Sequence, residues 1–250
     1  MGSPYPVLYN GLGVSQGIYD VSTTAILPVG TRASLTDGRV FYYSRSTSAT
    51  PLAAGYLTSA EVASVDMDDL VTGTTVVGDT SISMTPVGTK TWALNELAEG
   101  YFCYATGTTG DGISYKIKSN PVTVATTEFT IELYDGLAIA GSADAKATVA
   151  KNPWMDPVVC PSSAEGMLTG VPQITVPDGS SNAQYYWNQT WGMAGVVAGG
   201  STTIGEAVMA DTTTAGETLV IATAAGPQAG VQHTLGVNAS TTLTFLTIAP

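Results

Sequence analysis

Short runs of apolar–polar alternation, separated by turn signals, restrict the fold of this chain more than any other feature. Residues 112–118 (GISYKIK) set Ile113, Tyr115 and Ile117 on one face and Ser114, Lys116 and Lys118 on the other. Residues 128–133 (EFTIEL) set Phe129, Ile131 and Leu133 against Glu128, Thr130 and Glu132, and Leu243 and Phe245 alternate with Thr242 and Thr244. A period of two places successive side chains on opposite faces of an extended strand, and a helix cannot match it. The segments GRVFYYS (38–44), TSISMT (80–85), YFCYAT (101–106) and ETLVIAT (217–223) are short, rich in β-branched or aromatic residues, and bounded by glycine or polar turns. Such residues fit a pleated surface. Helical signals are weak: 59–70 (SAEVASVDMDDL) does not sustain two apolar turns, and 91–97 (TWALNEL) allows one or two turns before Gly100. The expected fold is all-β, with short antiparallel strands forming one or two sandwich- or barrel-like domains and few short helices.

No repeat of fixed period runs through the chain, which argues against a solenoid or propeller. One strand pattern ends at Asn120-Pro121 and the next begins at Glu128, which predicts a boundary near 119–127 and β-rich domains over 31–125 and 126–250. Residues 1–30 hold Pro4, Pro6, Tyr5, Tyr9 and Tyr19 with little periodicity. They read as an N-terminal arm that docks on a partner through those tyrosines, or as a first strand and loops of the same domain.

Charge narrows the function classes. Eight Lys and Arg stand against 20 Asp and Glu, a net charge of −12, with no basic cluster. Binding to a phosphate backbone needs such a cluster, so no nucleic-acid partner is expected. No apolar run approaches the length of a membrane helix, and MGSPYPVLYNGLGV lacks the basic and apolar regions of a secretory signal. Cys103 and Cys160 are too isolated for a redox motif or a zinc site. They are expected as reduced, buried apolar residues, with one long-range disulfide as the alternative.

Candidate chemistry is sparse. GVSQG (13–17) matches the G-x-S-x-G pattern of hydrolases, but no buried strand precedes Ser15, no helix follows it, and His233 is the one histidine. Asp66, Asp68 and Asp69 lack the remaining ligands of a calcium loop. The pairs Glu96 with Glu99 and Asp135 with Asp144 would need a geometry that sequence does not supply. GTTGDG (107–112) lacks the Lys-Ser/Thr of a phosphate loop and reads as a hairpin turn. Asn188 and Asn238 match glycosylation sequons by chance in a Ser/Thr-rich chain. The expectation is a protein without enzymatic activity, cofactor or metal. The densest aromatic cluster is YYWNQTW, with Tyr185, Tyr186, Trp187 and Trp191. It reads as a core strand, an assembly anchor or a glycan-binding platform, and Tyr186, Trp187 and Trp191 are its candidate interface residues.

Five segments in order resemble one family. They are TDGRVFYYSRSTSATPLAAGYL (36–57), AEGYFCYATGTTGDGISYKIKSNP (98–121), FTIELYDGLAIA (129–140), KNPWMDPVV (151–159) and YYWNQTWGMAGVV (185–197). The chain resembles a family of structural proteins found among the head genes of marine tailed phages and in prophages. Shared motifs are DG-x-x-F-x-Y, L-x-AG, EGY…Y-x-IKS-x-P, ELYD and Q-T-W-G, spread over most of the chain after residue 30. The resemblance implies a capsid decoration (cement) protein, made in the host cytoplasm and carried on the outer capsid surface. It implies binding to the major capsid protein, clamping of adjacent subunits, and assembly as a homotrimer. An acidic face suits the outside of a particle with DNA within. The alternatives are a tail or head-fibre component, a carbohydrate-binding β-module, and a hydrolase built on Ser15 and His233.

Overall fold

The computed structural model describes residues 4–8, 11–61, 65–106, 112–163, 166–221 and 226–250. The fold is all-β: the described residues contain no α-helix and one 3-10 turn, Val65–Met67. No helix among them is long and apolar enough to cross a membrane. Residues 91–97 form turns, with the Asn120 side-chain oxygen accepting from Leu97 N–H at 2.8 Å.

The chain divides into two units, and the division is nested. Unit 1 holds residues 1–62 and 153–250, and unit 2 holds residues 63–152. The strands of unit 1 before the insertion are β1 (Val7–Leu8), β2 (Arg32–Ser34), β3 (Val40–Ser46) and β4 (Thr58–Ser59). Unit 2 contributes β5 (Leu70–Thr72), β6 (Ser81–Thr85), β7 (Tyr101–Thr106), β8 (Ser114–Ser119), β9 (Phe129–Leu133) and β10 (Lys146–Ala150). Unit 1 resumes with β11 (Val158–Val159), β12 (Leu168–Pro172), β13 (Gln184–Ala198), β14 (Ala207–Ala210), β15 (Thr218–Val220), β16 (Gln228–Gln232) and β17 (Ser240–Thr247).

Unit 2 is a closed barrel in the order β10–β5–β6–β9–β8–β7. Closure leaves no sheet edge open to pairing. Tyr115 and Ile117 of β8, with Phe129, Ile131 and Leu133 of β9, face a core that also holds Trp92, Phe102 and Leu70. Here the alternation works as the sequence implies, with Lys116 and Lys118 outside. The boundary expected near 125 falls inside this barrel, because β8 and β9 pair across it through Ile117↔Leu133 and Ser119↔Glu132. Asn120-Pro121 ends a strand without ending a domain. Residues 63–152 expressed alone are expected to fold, since β5 and β10 are paired neighbours (Leu70↔Ala147) and the two ends of the insertion leave the barrel side by side. Cooperative thermal unfolding and dispersed amide resonances would be the result; a molten product would show that the barrel cannot close by itself.

Unit 1 is organised by β13, a strand of 15 residues. Its first half pairs with β3 from Gln184↔Ser46 to Trp191↔Val40, and its second half pairs with β17 from Trp191↔Thr247 to Ala198↔Ser240. The change of partner coincides with a bulge between Gln189 and Trp191. The Gln-Thr-Trp-Gly stretch makes that bulge. Gln189 Nε2 donates to the carbonyls of Trp191 (3.1 Å) and Met193 (2.9 Å), and Thr190 Oγ1 donates to Ala249 O at 2.6 Å. Gly192 takes a φ of 86°, where a side chain would be strained. Beyond the bulge, pairings run in a ring from β13 to β15, β14, β16, β17 and back to β13. Ala194, Val196, Val208, Ala210 and Leu246 fill its core.

The described residues among the first thirty belong to unit 1 and pack on its core, so of the two readings of this segment the structure has a first strand and loops of the same domain and not a separate arm. β1 pairs with β2, and Val14 and Ile18 pack with Phe41, Tyr43 and Trp187. Buried Gln16 ties the segment down. Its Nε2 donates to Tyr185 O at 2.8 Å, its Oε1 accepts from Tyr43 Oη at 3.0 Å, and its carbonyl accepts from Trp187 Nε1 at 3.1 Å.

Candidate functional site

The residues singled out in sequence fall in different places. Tyr186 and Trp187 are fully buried, so they are core residues and present no surface to a partner or a glycan. Burial pushes the Tyr186 phenol far above its usual range. Tyr5 and Tyr19 are exposed, and Tyr9 lies outside the described residues. Trp191 is half-buried and meets Phe245 edge-to-face, with centroids 5.8 Å apart and planes at 77°. That arrangement is not the coplanar platform on which a sugar ring stacks.

The serine motif is structural too. Ser15 is exposed, while its neighbours Gln16 and Gly17 are buried, and Gly17 N–H donates to Asp20 Oδ2 at 2.8 Å. The strand–turn–helix context of a nucleophile elbow is missing from residues 11–20, and His233 is exposed after β16. Asn188 is fully buried, and its Nδ2 donates to Thr58 Oγ1 at 2.8 Å, so this sequon is closed to modification in the folded unit. Glu96 is engaged with Lys151 at 3.0 Å, and Glu99 with Lys116 and the Tyr134 hydroxyl, both at 2.5 Å. Cys103 and Cys160 are free, and burial raises both thiols, the opposite of what an activated thiolate needs.

The unusual feature is the outer wall of the unit 1 ring. In β17 the alternation is inverted relative to unit 2: Thr242 and Thr244 point inward, while Leu243 and Phe245 point outward, 46% and 38% exposed. The inward hydroxyls are satisfied, Thr242 by Val196 O at 3.3 Å and Thr244 by Gln232 Oε1 at 3.2 Å. Outside, Met193, Phe245 and Val231 stand side by side across β13, β17 and β16. Leu243 lies one step along β17, opposite Gly195. Leu235 and Val237, in the loop joining β16 to β17, are also exposed. Phe245, Leu243 and Val231 thus form a row of exposed apolar side chains on adjacent strands, and contiguous apolar surface of this kind often marks an interaction site. No Asp, Glu, Lys or Arg occurs from Gln228 to the end of the chain, so the wall of β16 and β17 carries no fixed charge.

One end of this face deepens into a hollow of about 480 Å³ lined by Asp37, Gly38, Arg39, Trp191, Gly192, Met193 and Phe245. The Arg39 stem lies over Gly192, where an added Cβ would stand 3.1 Å from its Cγ. Its guanidinium pairs with Asp37 at 2.8 Å. Partial burial raises the Asp37 carboxyl, and the hydrogen bonds and charge of Arg39 outweigh that and hold it below the usual range. The result is an apolar floor with one fixed ion pair on its rim, suited to gripping a protruding side chain rather than to moving a proton. Periodicity marks β17 as a strand, but nothing in it says which side faces water. Comparisons of the chain with family models, with curated proteins and with solved structures find no match.

Proposed function

We propose that this protein is a non-enzymatic structural component of a tailed-phage virion that docks on the outer capsid surface and clamps adjacent major capsid subunits. The observation that carries this reading is the inverted β17, which turns Leu243 and Phe245 outward beside Met193 and Val231. A strand that turns its threonines inward and a leucine and a phenylalanine outward offers an apolar row for a partner surface to cover. The motif resemblance supplies the partner class and the expectation of a homotrimer. A closed barrel and a ring of non-local pairings suit a clamp under load, since contacts formed late in folding slow unfolding. Net charge of −12 suits a surface facing away from packaged DNA.

Co-sedimentation with undecorated heads tests the proposal. Saturable binding at hundreds of copies per head is expected. Leu243→Asp with Phe245→Asp should leave the melting temperature nearly unchanged and lower occupancy at least about tenfold, as removal of hot-spot side chains does. A few to a few tens of copies per particle would instead indicate a neck, tail or fibre component. Absence from particles would end the virion reading.

A further inference from the structure

The apolar wall of unit 1 ends in two opposite shapes. At one end lies the hollow floored by Trp191, Met193 and Phe245. At the other, beyond Ala198↔Ser240, the loop from β13 to β14 meets the loop from β16 to β17. Thr202 and Gly236 exchange N–H···O hydrogen bonds, both at 3.2 Å, and Gly205 N–H donates to Gln232 O at 2.8 Å. The loops touch so closely that a Cβ added to Gly236 would stand 2.1 Å from Thr202 Oγ1. Ser240 N–H closes the turn by donating to Val237 O at 3.0 Å. The two loops therefore make one fixed tip, from which Ile204, Leu235 and Val237 project into water, 60%, 68% and 65% exposed. Ser240 and Phe245 stand about 17 Å apart along β17, at roughly 3.3 Å per residue, so the tip of a chain cannot fill its own hollow.

Charge selects what can cover both features. The net charge of −12 holds copies of this chain apart over most of their surface. Tip and hollow are the exception: no Asp, Glu, Lys or Arg occurs in residues 179–205 or 228–250, which supply Ile204, Leu235 and Val237 as well as Trp191, Met193 and Phe245. Glu206, beside the tip, caps its own loop by accepting from Thr203 N–H at 2.8 Å. The charges at the hollow, Asp37 and Arg39, are closed on each other at 2.8 Å. A cationic partner finds no free charge to complement here, whereas a second copy meets this surface without bringing like charges together. We propose that the Ile204–Leu235–Val237 tip of one copy seats in the Trp191–Met193–Phe245 hollow of another. The hollow, about 480 Å³, falls within the roughly 300–1,000 Å³ that holds whole small molecules, which is room for these aliphatic side chains. Tip and hollow are different surfaces, so the contact runs head to tail and closes as a ring. The inference rests on the homotrimer of the proposed function and supplies its contact; it makes no use of capsid docking.

Sedimentation equilibrium of the full chain over a dilution series is the test, and a closed assembly of three copies is expected. Leu235→Asp with Val237→Asp on the tip, and Met193→Asp in the hollow, should each weaken assembly at least about tenfold while the melting temperature of the monomer stays nearly unchanged. Mixing the two variants should restore a two-chain species, because each supplies the half that the other lacks. Ile204→Asp serves as the tip variant if the double change does not fold. A wild-type chain that stays monomeric at about 100 µM would overturn the proposal, since specific interfaces assemble at micromolar concentration or below. An oligomer that neither variant weakens, or variants that do not complement each other, would overturn it equally. Head binding is scored apart. Wild-type monomers that saturate heads would end this inference and leave the docking reading standing; an oligomer that the mixture rebuilds but that no head binds would do the reverse.

Discussion

Trp187→Ala is expected to destabilise unit 1 by about 3–5 kcal/mol, the usual cost of emptying a buried aromatic site. The ring is fully buried, tilted at 60° against Tyr43 with centroids 5.0 Å apart. Its Nε1 donates to Gln16 O at 3.1 Å, so truncation also removes the donor that satisfies this carbonyl. Ala cannot fill the space, and the neighbours Phe41, Ile18 and Ala33 belong to strands and turns fixed by other contacts. A loss of this size is a large part of the stability of a typical domain. Urea unfolding of both forms measures it, with the signal of unit 1 resolved from that of unit 2. Trp187→Phe should cost less, because it keeps most of the ring volume and loses mainly the indole donor. A change below about 1 kcal/mol for the alanine variant would mean that the ring is not packed as described.

Deletion of residues 1–25 is expected to abolish cooperative folding of unit 1 while the unit 2 barrel persists. The deletion removes β1 from the sheet edge, Val14 and Ile18 from the Trp187 core, and all the ties made by Gln16. It also removes Ser22, whose backbone exchanges hydrogen bonds with Tyr185 at 3.0 and 2.7 Å. Loss of several buried side chains at once exceeds the margin by which domains are stable. The full chain should show two sets of dispersed resonances and the truncated chain only the barrel set. A truncated protein with both sets intact and only its capsid binding reduced would restore the docking-arm reading.

Parts of this fold are legible in the sequence because the forces behind them are local. The alternations at 112–118 and 128–133 become β8 and β9 with their apolar sides inward; of the GTTGDG stretch expected as a hairpin turn, residues 107–111 lie outside the described residues, while the flanking strands β7 and β8 pair through Phe102↔Tyr115. The aromatic run at 185–187 is a strand, and burial of Trp187 answers which of its three readings applies. The nested insertion is not legible. β4 and β11 have two residues each, too few for any period, and they pair with each other across the whole of unit 2. The expected boundary at 125 rests on a Pro-containing turn, and a turn joins strands within a domain as readily as it ends one, as β8 and β9 show.

What the sequence by itself determined is the element type: a two-residue period and β-branched side chains make strands wherever they pair. It also determined the absence of clustered basic charge. Tertiary structure alone decided which face of each strand meets water. Leu243 and Phe245 look like core residues until ring closure places Thr242 and Thr244 inside, with hydroxyls bonded to Val196 and Gln232. It also decided that Asp211 and Glu217 approach Gly199, since the glycine follows β13, outside the β14–β15 hairpin, and no spacing along the chain encodes that approach. The physical reason is the same in both cases. Alternation is a property of one strand, whereas facing and convergence depend on partners that closure brings from elsewhere in the chain.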